Sequence, residues 1–339
     1  MVKLNFKDNI DLSVGAGGRA MHQLLNQLIL KEFDNNYLQM QSDQAILPPV
    51  SGHLAFTTDS YVVSPYFFNG GDIGSLAING TINDLAVGGA KPHYISVSFI
   101  LEEGLPLSDF RQIVQSMAKA ARDANVLIVT GDTKVVEKGK GDGIFINTSA
   151  IGVIGSDVII KPEFAVGDKI IINGAIANHG MAVISKRQGL DFSTNIESDC
   201  AALHELIQEV MAINPKIRCM RDPTRGGVSA TLNEWANFYN LGLNIDESKL
   251  LIHENVKGLC ELLGLDPLHV ANEGKVLIVS DSADSERVLD VMRNNPLGQD
   301  AQIIGEIQSI ADKFVTLTTT FGGVRRVEWL SGEQLPRIC

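Results

Sequence analysis

The sequence predicts an α/β (α+β) fold built from two α/β domains, each with helices packed against a sheet. Two observations support this. Short apolar, β-branched segments alternate with segments of helical periodicity, and the alternation starts again after KPEFAVGD at 161–168, a segment punctuated by Pro and Gly. A chain of 339 residues is long enough for two domains with cores of their own. The alternation does not decide whether the sheets are parallel or mixed.

The first half contains three predicted strands and a helix. Residues 54–64, 126–130 and 145–155 are rich in Thr, Tyr, Val and Ile, which favour the pleated state. Residues 108–124 have helical periodicity, and Ser108 and Asp109 are its predicted N-cap residues. The apolar positions of this helix are Phe110, Ile113, Val114, Met117 and Ala121.

The second half repeats the pattern. We predict strands at 169–174 and 275–280, helices at 200–213 and 283–294, and closing strands at 301–308 and 314–321. The chain is therefore divided into a Gly-rich segment with a helix (1–40), a first domain (41–160), a second domain (161–330) and a flexible tail (331–339) that carries Cys339.

Composition limits the functional classes. The net charge of −12 argues against a general affinity for nucleic acid or for an anionic membrane. No apolar run is long enough to span a bilayer, and the N-terminus lacks the pattern of a signal peptide. The four cysteines stand far apart without a C-x-x-C pair, so we expect reduced thiols and a cytoplasmic location.

Four polar segments place acidic residues beside strand ends or glycine clusters. They are TTDS (57–60), GGDIGSLAINGTINDLAVGGAKP (70–92), TGDTK (130–134) and RDPTRGG (221–227), and they contain Asp59, Asp72, Asp84, Asp132 and Asp222. Carboxylates converging from separate loops would suit Mg²⁺ bridging a polyphosphate. The alternative is that Asp and Gly are simply common in turns. No G-x-x-x-x-G-K-[ST] segment is present, which excludes a P-loop.

Two glycine-containing segments precede predicted helices. Gly226 and Gly227 stand just before a helix expected near Val228, where a helix N-terminus suits an anion. GAGG at 15–18 precedes a helix-like segment and is either a phosphate-covering loop or a flexible turn.

Taken together, the residues resemble a known family. GGDIGSLAINGTINDLAVGGAKP, TGDTKVV, DPTRGGV, ANEGKV and the final PRIC are similar to the HypE family of hydrogenase maturation proteins. That family belongs to the ATP-binding superfamily of aminoimidazole ribonucleotide synthetase and selenophosphate synthetase. The similarity runs from GAGG to Cys339. One departure is that Val14 and Ala16 stand where the family usually has His and Ser, so roles of those two side chains do not carry over.

The resemblance implies an activity. Members of the family carry a carbamoyl group on a C-terminal cysteine thiol, here Cys339, and use ATP and Mg²⁺ to dehydrate it to a thiocyanate, the source of the cyanide ligands of [NiFe]-hydrogenases. Residues 41–160 would then be the ATP-binding domain. The implied partners are the carbamoyltransferase HypF, a HypC–HypD complex that accepts the cyanide, and a second copy of the chain joined through the N-terminal sheet.

The resemblance also implies site residues. The metal ligands would be Asp59, Asp84, Asp132 and Asp222; nucleotide contacts would come from Gly15, Gly17, Gly18, Asp72, Asn83, Arg225, Gly226 and Gly227. Lys134 and Glu273 would remove protons and position the amide, with a charge role on phosphate as the alternative for Lys134. His179 is interpreted as a helix-capping or structural residue.

Two other functions compete with a dehydratase. A superfamily kinase or synthetase acting on a free small molecule would not need Cys339. A carrier or assembly scaffold would bind ATP without hydrolysing it, even when Cys339 is carbamoylated.

Overall fold

The structure, a computed structural model, describes residues 4–5, 8–156, 158, 160–190, 195–330, 332, 335 and 337–339. Over these residues the predicted fold class is confirmed, since two sheets form in succession with helices packed against them. The described helices are α1 Arg19–Leu24, α2 Leu30–Phe33, α3 Asn36–Gln39, α4 Ile73–Val87, α5 Leu107–Asp123, α6 Asn178–Arg187, α7 His204–Ala212, α8 Gly227–Tyr239, α9 Glu254–Leu263 and α10 Ser285–Asn294. Within the described ranges, no helix has the length and apolar character that a membrane span requires.

The strands follow the same alternation. They are β1 His53–Tyr61, β2 Phe67–Phe68, β3 Gly71–Asp72, β4 Lys91–Glu102, β5 Leu127–Val136, β6 Ile144–Ile154, β7 Lys169–Ile172, β8 Ile217–Arg221, β9 Gly242–Asp246, β10 Leu277–Ser280, β11 Gln302–Ser309, β12 Phe314–Thr318 and β13 Val324–Arg326. Both large sheets are mixed, which the alternation alone did not decide.

The first sheet has four strands in the order β1-β6-β4-β5, of which only β4 and β5 are parallel. Helices α4 and α5 cover one of its faces. Two glycines permit this close packing: a Cβ at Gly74 would lie 2.5 Å from the Ile113 carbonyl oxygen, and one at Gly80 would lie 2.5 Å from Tyr61 Oη. Helix α4 is therefore held tightly against both β1 and α5.

The second sheet has seven strands in the order β13-β12-β9-β11-β7-β10-β8 and is buried on both faces. Strand β7 shows why its sequence is a continuous apolar run. Ile170 and Ile172 pack with α8, whereas Ile171 between them packs with α7 and α10. Successive side chains of a strand point to opposite faces, so a strand covered on both sides needs no polar alternation.

Two local predictions differ from the structure. The predicted N-cap of the 108–124 helix is wrong, because α5 begins at Leu107 after Pro106 without a side-chain cap, and Asp109 instead accepts a 2.7 Å hydrogen bond from Tyr66 Oη. The strand predicted at 126–130 continues to Val136. Asp132 and Lys134 therefore lie within β5 rather than in a loop.

Candidate active site

Three of the predicted acidic residues come together between the two domains. Asp59 lies on β1, Asp84 on α4, and Asp222 directly after β8. The Thr57 hydroxyl donates a 2.9 Å hydrogen bond to Asp84 Oδ2, which ties α4 to β1. The three carboxylates are close enough to interact electrostatically.

Burial and the charges of neighbouring carboxylates disfavour the ionised forms of Asp84 and Asp222. Burial raises the pKa of Asp84 to about 7, with the charges of Asp222 and Asp59 adding to the effect and the Thr57 hydrogen bond opposing it. Burial also raises the pKa of Asp222 to about 6, and the charge of Asp59 contributes. Unneutralised negative charge held in a partly buried position is a favourable environment for a cation.

The residues fit a metal that is bound together with a polyphosphate. Within the described ranges, no group of three or more His, Cys, Asp or Glu side chains is already arranged to hold a metal ion. Mg²⁺ usually takes only one or two carboxylates and completes its coordination with phosphate oxygens and water. Asp59, Asp84 and Asp222 can supply such a partial set.

Glu273 lies next to this acidic cluster and is 2% exposed. Burial raises the pKa of Glu273 well above its usual range, and the charges of Asp222, Asp199, Asp59 and Asp84 add to the shift. Its Oε1 has no hydrogen-bond partner in the part of the chain that is described. Burial therefore favours the neutral form of Glu273, and its Oε1 is free for a bound group.

Cys339 is docked in the same place. Its neighbour Ile338 is 3% exposed and packs, like Cys339, against the core of the first domain. Burial raises the pKa of the thiol to about 12, with Glu273 adding to the shift and a hydrogen bond from Arg225 opposing it. A cavity of about 460 Å³ adjoins the thiol and is lined by Arg225, His269 and Arg337 among others.

Two predictions concern the residues of this arrangement. The tail is predicted to be flexible; in this structure its described residues 337–339 are docked, with the Arg337 carbonyl accepting from Ser64 N at 3.1 Å and from Arg187 Nη2 at 2.7 Å. Arg225 is predicted to contact nucleotide; in this structure its guanidinium interacts with the Cys339 thiol, and the nucleotide contact stays a prediction.

Two other predicted nucleotide contacts have structural roles. Asp72 caps α4, and its Oδ1 accepts from Gly74 N at 2.8 Å and Ser75 N at 2.9 Å. Asn83 donates to the carbonyls of Ala201 and Glu273 and accepts from Leu203 N, which uses its whole amide group. The Asn83 amide is satisfied by the protein itself and is not free for a ligand, whereas Asp72 uses its Oδ1 for the cap and its predicted nucleotide contact stays a prediction.

Asp132 and Lys134 lie apart from the acidic cluster. They are on β5, which is separated from β1 by two strands, so Asp132 and Asp59 are roughly 14 Å apart at the usual strand spacing of about 4.8 Å. Asp132 also shares its row with Ser98, Asn147 and Ser60 on the face that α4 does not cover. Within one chain, Asp132 therefore does not join the predicted metal ligands.

A second cavity, of about 340 Å³, surrounds these two residues. Lys134 Nζ lies 2.6 and 2.8 Å from the two carboxylate oxygens of Asp132, and this pairing lowers the pKa of Asp132. Gly15 and Gly17 line the cavity together with apolar side chains from α1 and α2, and Gly18 precedes α1. The predicted phosphate-covering glycines thus lie beside Asp132 and Lys134.

Gly226 is the N-cap of α8 and Gly227 is its first residue, so the helix begins where it was predicted, and both glycines have left-handed φ angles of 77° and 63°. A Cβ at Gly227 would lie 2.5 Å from the Val270 carbonyl oxygen. Their freedom therefore brings the start of α8 against the 268–270 segment, next to Glu273.

Sequence reasoning missed the residues that support Glu273. Asp199 Oδ1 accepts a 3.2 Å hydrogen bond from Glu273 N, and Asp199 Oδ2 forms a 3.0 Å ion pair with Lys275. The helix predicted at 200–213 begins only at His204, and residues 198–200 form a partly buried connection instead. Within that connection, Ser198 Oγ forms a 2.8 Å hydrogen bond with His179 Nδ1.

Comparisons with known proteins agree with the fold. The family description "AIR synthase related protein" matches twice, its N-terminal domain over residues 41–154 and its C-terminal domain over residues 165–317. A carbamoyl dehydratase HypE of Cupriavidus necator is 52% identical over 99% of this chain and 97% of its own length. The Escherichia coli K12 carbamoyl dehydratase HypE is 44% identical over 98% of this chain and 100% of its own length.

Solved structures give the same result. A crystal structure of the hydrogenase maturation protein HypE in complex with ATP has a TM-score of 0.92 at 44% identity, covering 97% of this chain and 99% of that one. A crystal structure of a HypE–HypF complex has a TM-score of 0.79 at 45% identity, covering 92% of this chain and 100% of that one. This chain therefore belongs to the carbamoyl dehydratase HypE family of hydrogenase maturation enzymes, within the AIR synthase related proteins.

Proposed function

We propose that this carbamoyl dehydratase carries its substrate on its own Cys339 and uses ATP to convert the S-carbamoyl group into a thiocyanate. The observation that supports this most strongly is the docking of Cys339 against Glu273 and Arg225, beside the acidic cluster of Asp59, Asp84 and Asp222. A thiol bearing a substrate is thereby presented to a site suited to Mg-ATP.

The reaction has two steps. In the first, the amide oxygen attacks the γ-phosphorus of ATP; the new O–P bond forms, the bond to ADP breaks, and one N–H proton leaves. In the second, the C–O bond breaks, phosphate departs with the electron pair, and the remaining N–H electrons close the C≡N bond as the second proton leaves. Phosphorylation is needed because an amide oxygen is otherwise a poor leaving group.

Glu273 is the group we assign to the amide nitrogen. In its neutral form it can hold the amide by hydrogen bonding, because its carboxyl group has a free oxygen. It becomes a base once the carboxylates that repel its ionised form are neutralised. Mg²⁺ held by Asp59, Asp84 and Asp222 would carry the triphosphate and supply that neutralisation.

We further propose that the complete site needs a second copy of the chain. The face of the first sheet that α4 does not cover carries an apolar row of Phe56, Ile151, Tyr94 and Leu127, paired across all four strands. Phe56 is 70% exposed, and such a row favours burial against another sheet. A homodimer that joins the β5 edge of one subunit to the β1 edge of the other would bring the partner's Asp132 and Lys134 to Asp59.

The proposal includes partners and a compartment. A HypF carbamoyltransferase would load Cys339, in keeping with the relative solved in complex with HypF. Because the docked thiol has a pKa of about 12, loading requires the tail to leave the site and regain a normal thiol. A HypC–HypD complex in the cytoplasm would accept the cyanide.

We retain 41–160 and 161–330 as the proposed domain bounds, with 331–339 as the tail.

Intact mass spectrometry tests the reaction. After HypF has carbamoylated the protein, addition of Mg-ATP should remove the mass of one water and form ADP, and Cys339→Ala should abolish both. ATP hydrolysis without the mass loss would favour a kinase or synthetase acting on a free molecule. Binding of ATP without hydrolysis would favour a scaffold. Either result would overturn the proposal.

A further inference from the structure

His179 contacts the docked tail but has no part in the mechanism described above. It lies in the first turn of α6 and is 0% exposed, with the ring of Phe68 packed edge-on at 5.3 Å. Its Nε2 lies 2.9 Å from the Ile338 carbonyl oxygen, and its Nδ1 lies 2.8 Å from Ser198 Oγ. Both ring nitrogens are therefore engaged in the interior.

The partners of His179 determine its tautomer. A carbonyl oxygen only accepts, so Nε2 must carry the proton and donate it to Ile338. Burial lowers the pKa of His179 and so favours the neutral ring, in which Nδ1 is an acceptor and receives the Ser198 hydroxyl proton. Ser198 Oγ is in turn free to accept from Cys200 N, at 3.1 Å. The result is a directional chain of hydrogen bonds from the 198–200 connection through His179 to the tail.

The hydrogen bond to Ile338 fixes the peptide unit that holds Cys339. The Ile338 carbonyl and the Cys339 nitrogen belong to one planar group. Once that plane is held, only rotation about the N–Cα and Cα–Cβ bonds of Cys339 still moves its sulfur. Placement of a reacting group within a fraction of an ångström has large effects on rate.

The same connection also supports Glu273. Ser198 binds His179, while the neighbouring Asp199 accepts from the Glu273 nitrogen. Gly180 N, one residue after His179, donates to the Ala271 carbonyl at 3.1 Å, close to Glu273 in the chain. His179, which holds the tail, and Glu273 are thus both hydrogen-bonded to the 198–200 connection.

We propose that His179 is a positioning residue that anchors the loaded tail by its Ile338 carbonyl and so sets the thiol-borne group against Glu273. This rests on the proposed function of Cys339 as carrier. Removal of the Nε2 donor leaves the Ile338 carbonyl buried and unsatisfied, which favours an undocked tail by about tenfold. The anchor acts through the main chain and touches no reacting atom.

Two readouts on His179→Leu test the proposal. The first is the rate of Cys339 alkylation by iodoacetamide, followed by peptide mass spectrometry, which should rise about tenfold as the tail undocks. The second is single-turnover dehydration of the carbamoylated protein, which should slow about tenfold or more because the group on the docked tail is no longer held in place against Glu273, while ATP affinity is unchanged. His179→Gln, whose amide can donate from the Nε2 position, should restore both in part. His204→Leu is the matched control, a second buried histidine on α7.

The outcomes separate this inference from the proposed function. Cys219 and Cys260 are buried, and their protection from alkylation shows that a variant is folded. If His179→Leu does not fold, the test uses Ser198→Ala and His179→Gln instead. Ser198→Ala should raise Cys339 alkylation and slow dehydration by a smaller factor than His179→Leu. Unchanged alkylation and dehydration in a folded His179→Leu would overturn the inference, as would an equal effect of His204→Leu. Failure of the wild type to lose water would refute the proposed function, while the alkylation result would still test the anchor.

Discussion

Burial and neighbouring carboxylates together raise the pKa of Glu273, which we propose as the base. Glu273→Gln is isosteric with the neutral acid, so we expect folding and Mg-ATP affinity to be preserved. Dehydration should fall by about 100-fold or more, since Gln cannot take up a proton. Single-turnover mass spectrometry with calorimetric titration of nucleotide measures both quantities. Wild-type turnover in Glu273→Gln would show that another group is the base, and Glu261→Gln on the exposed part of α9 is the control.

The raised pKa of Asp84 gives a prediction about stability and pH. Its pKa of about 7 in the folded protein exceeds the usual 3.8, so folding favours the protonated form. The free energy of unfolding therefore falls as the pH rises from about 4 to about 7, where Asp84 is ionised in the unfolded chain but still protonated in the folded one, and this loss is complete above pH 7. Without Mg²⁺, Asp84→Asn should therefore raise Tm by a few degrees at pH 8 and by clearly less at pH 5, where only part of the loss has occurred.

Scanning calorimetry at the two pH values measures the Tm difference between Asp84→Asn and the wild type. At pH 8 with Mg-ATP present, we expect the wild type to have the higher Tm. The wild type gains stability from ligand binding, whereas Asp84→Asn loses a metal ligand and gains less. If the Tm difference between Asp84→Asn and the wild type is the same at pH 5 and pH 8, the pKa of Asp84 is not raised in the folded protein and the prediction is wrong.

Among the elements, α4 packs against β1 and α5 through close approach at its glycines. Gly80→Ala should destabilise the protein by about 1–3 kcal/mol, since the new methyl group meets Tyr61 Oη in a rigid, buried position. The matched control is Gly258→Ala on α9, where a Cβ meets nothing within 4 Å and helix propensity predicts a gain of about 0.5–1 kcal/mol. Urea unfolding gives the free energy of unfolding of both variants. If Gly80→Ala and Gly258→Ala change it equally, the close contact between α4 and Tyr61 does not contribute to stability as predicted.

Elements were predictable from sequence where periodicity alone determines them. Helix α5 was predicted within one residue at each end, because its buried positions repeat at helical spacing. Its N-cap was not, since Pro106 takes the N-cap position without a side-chain hydrogen bond and Ser108 and Asp109 lie inside the helix. Strand β5 was cut short because Gly131 and Asp132 read as a turn, although pairing with β4 keeps them extended. Tertiary pairing overrides local propensity in such cases.

At the scale of the whole molecule, motif residues from distant segments predicted the acidic cluster and Glu273. The supporting residues Asn83, Asp199 and Ser198 were not recognised as such, because their partners are backbone groups far away in the sequence. Asp132 was grouped with Asp59 because both belong to Asp-containing segments. Only the strand order separates them, since it places them on opposite edges and opposite faces of one sheet. That separation is the physical reason for proposing a site shared between subunits.

A shared site predicts complementation between two inactive variants. Asp84→Asn and Asp132→Asn homodimers should each lose most dehydratase activity. If they are dissociated, mixed in equal amounts and reassociated, half of the dimers are mixed, and each mixed dimer contains one site with both aspartates intact. About a quarter of wild-type activity should therefore return, as expected for random pairing of symmetric subunits. Activity that stays at the level of the separate variants, with mixed dimers verified by native mass spectrometry, would place both aspartates in a site within one chain. The doubly substituted chain, mixed with either single variant, should restore nothing and controls for residual wild-type protein.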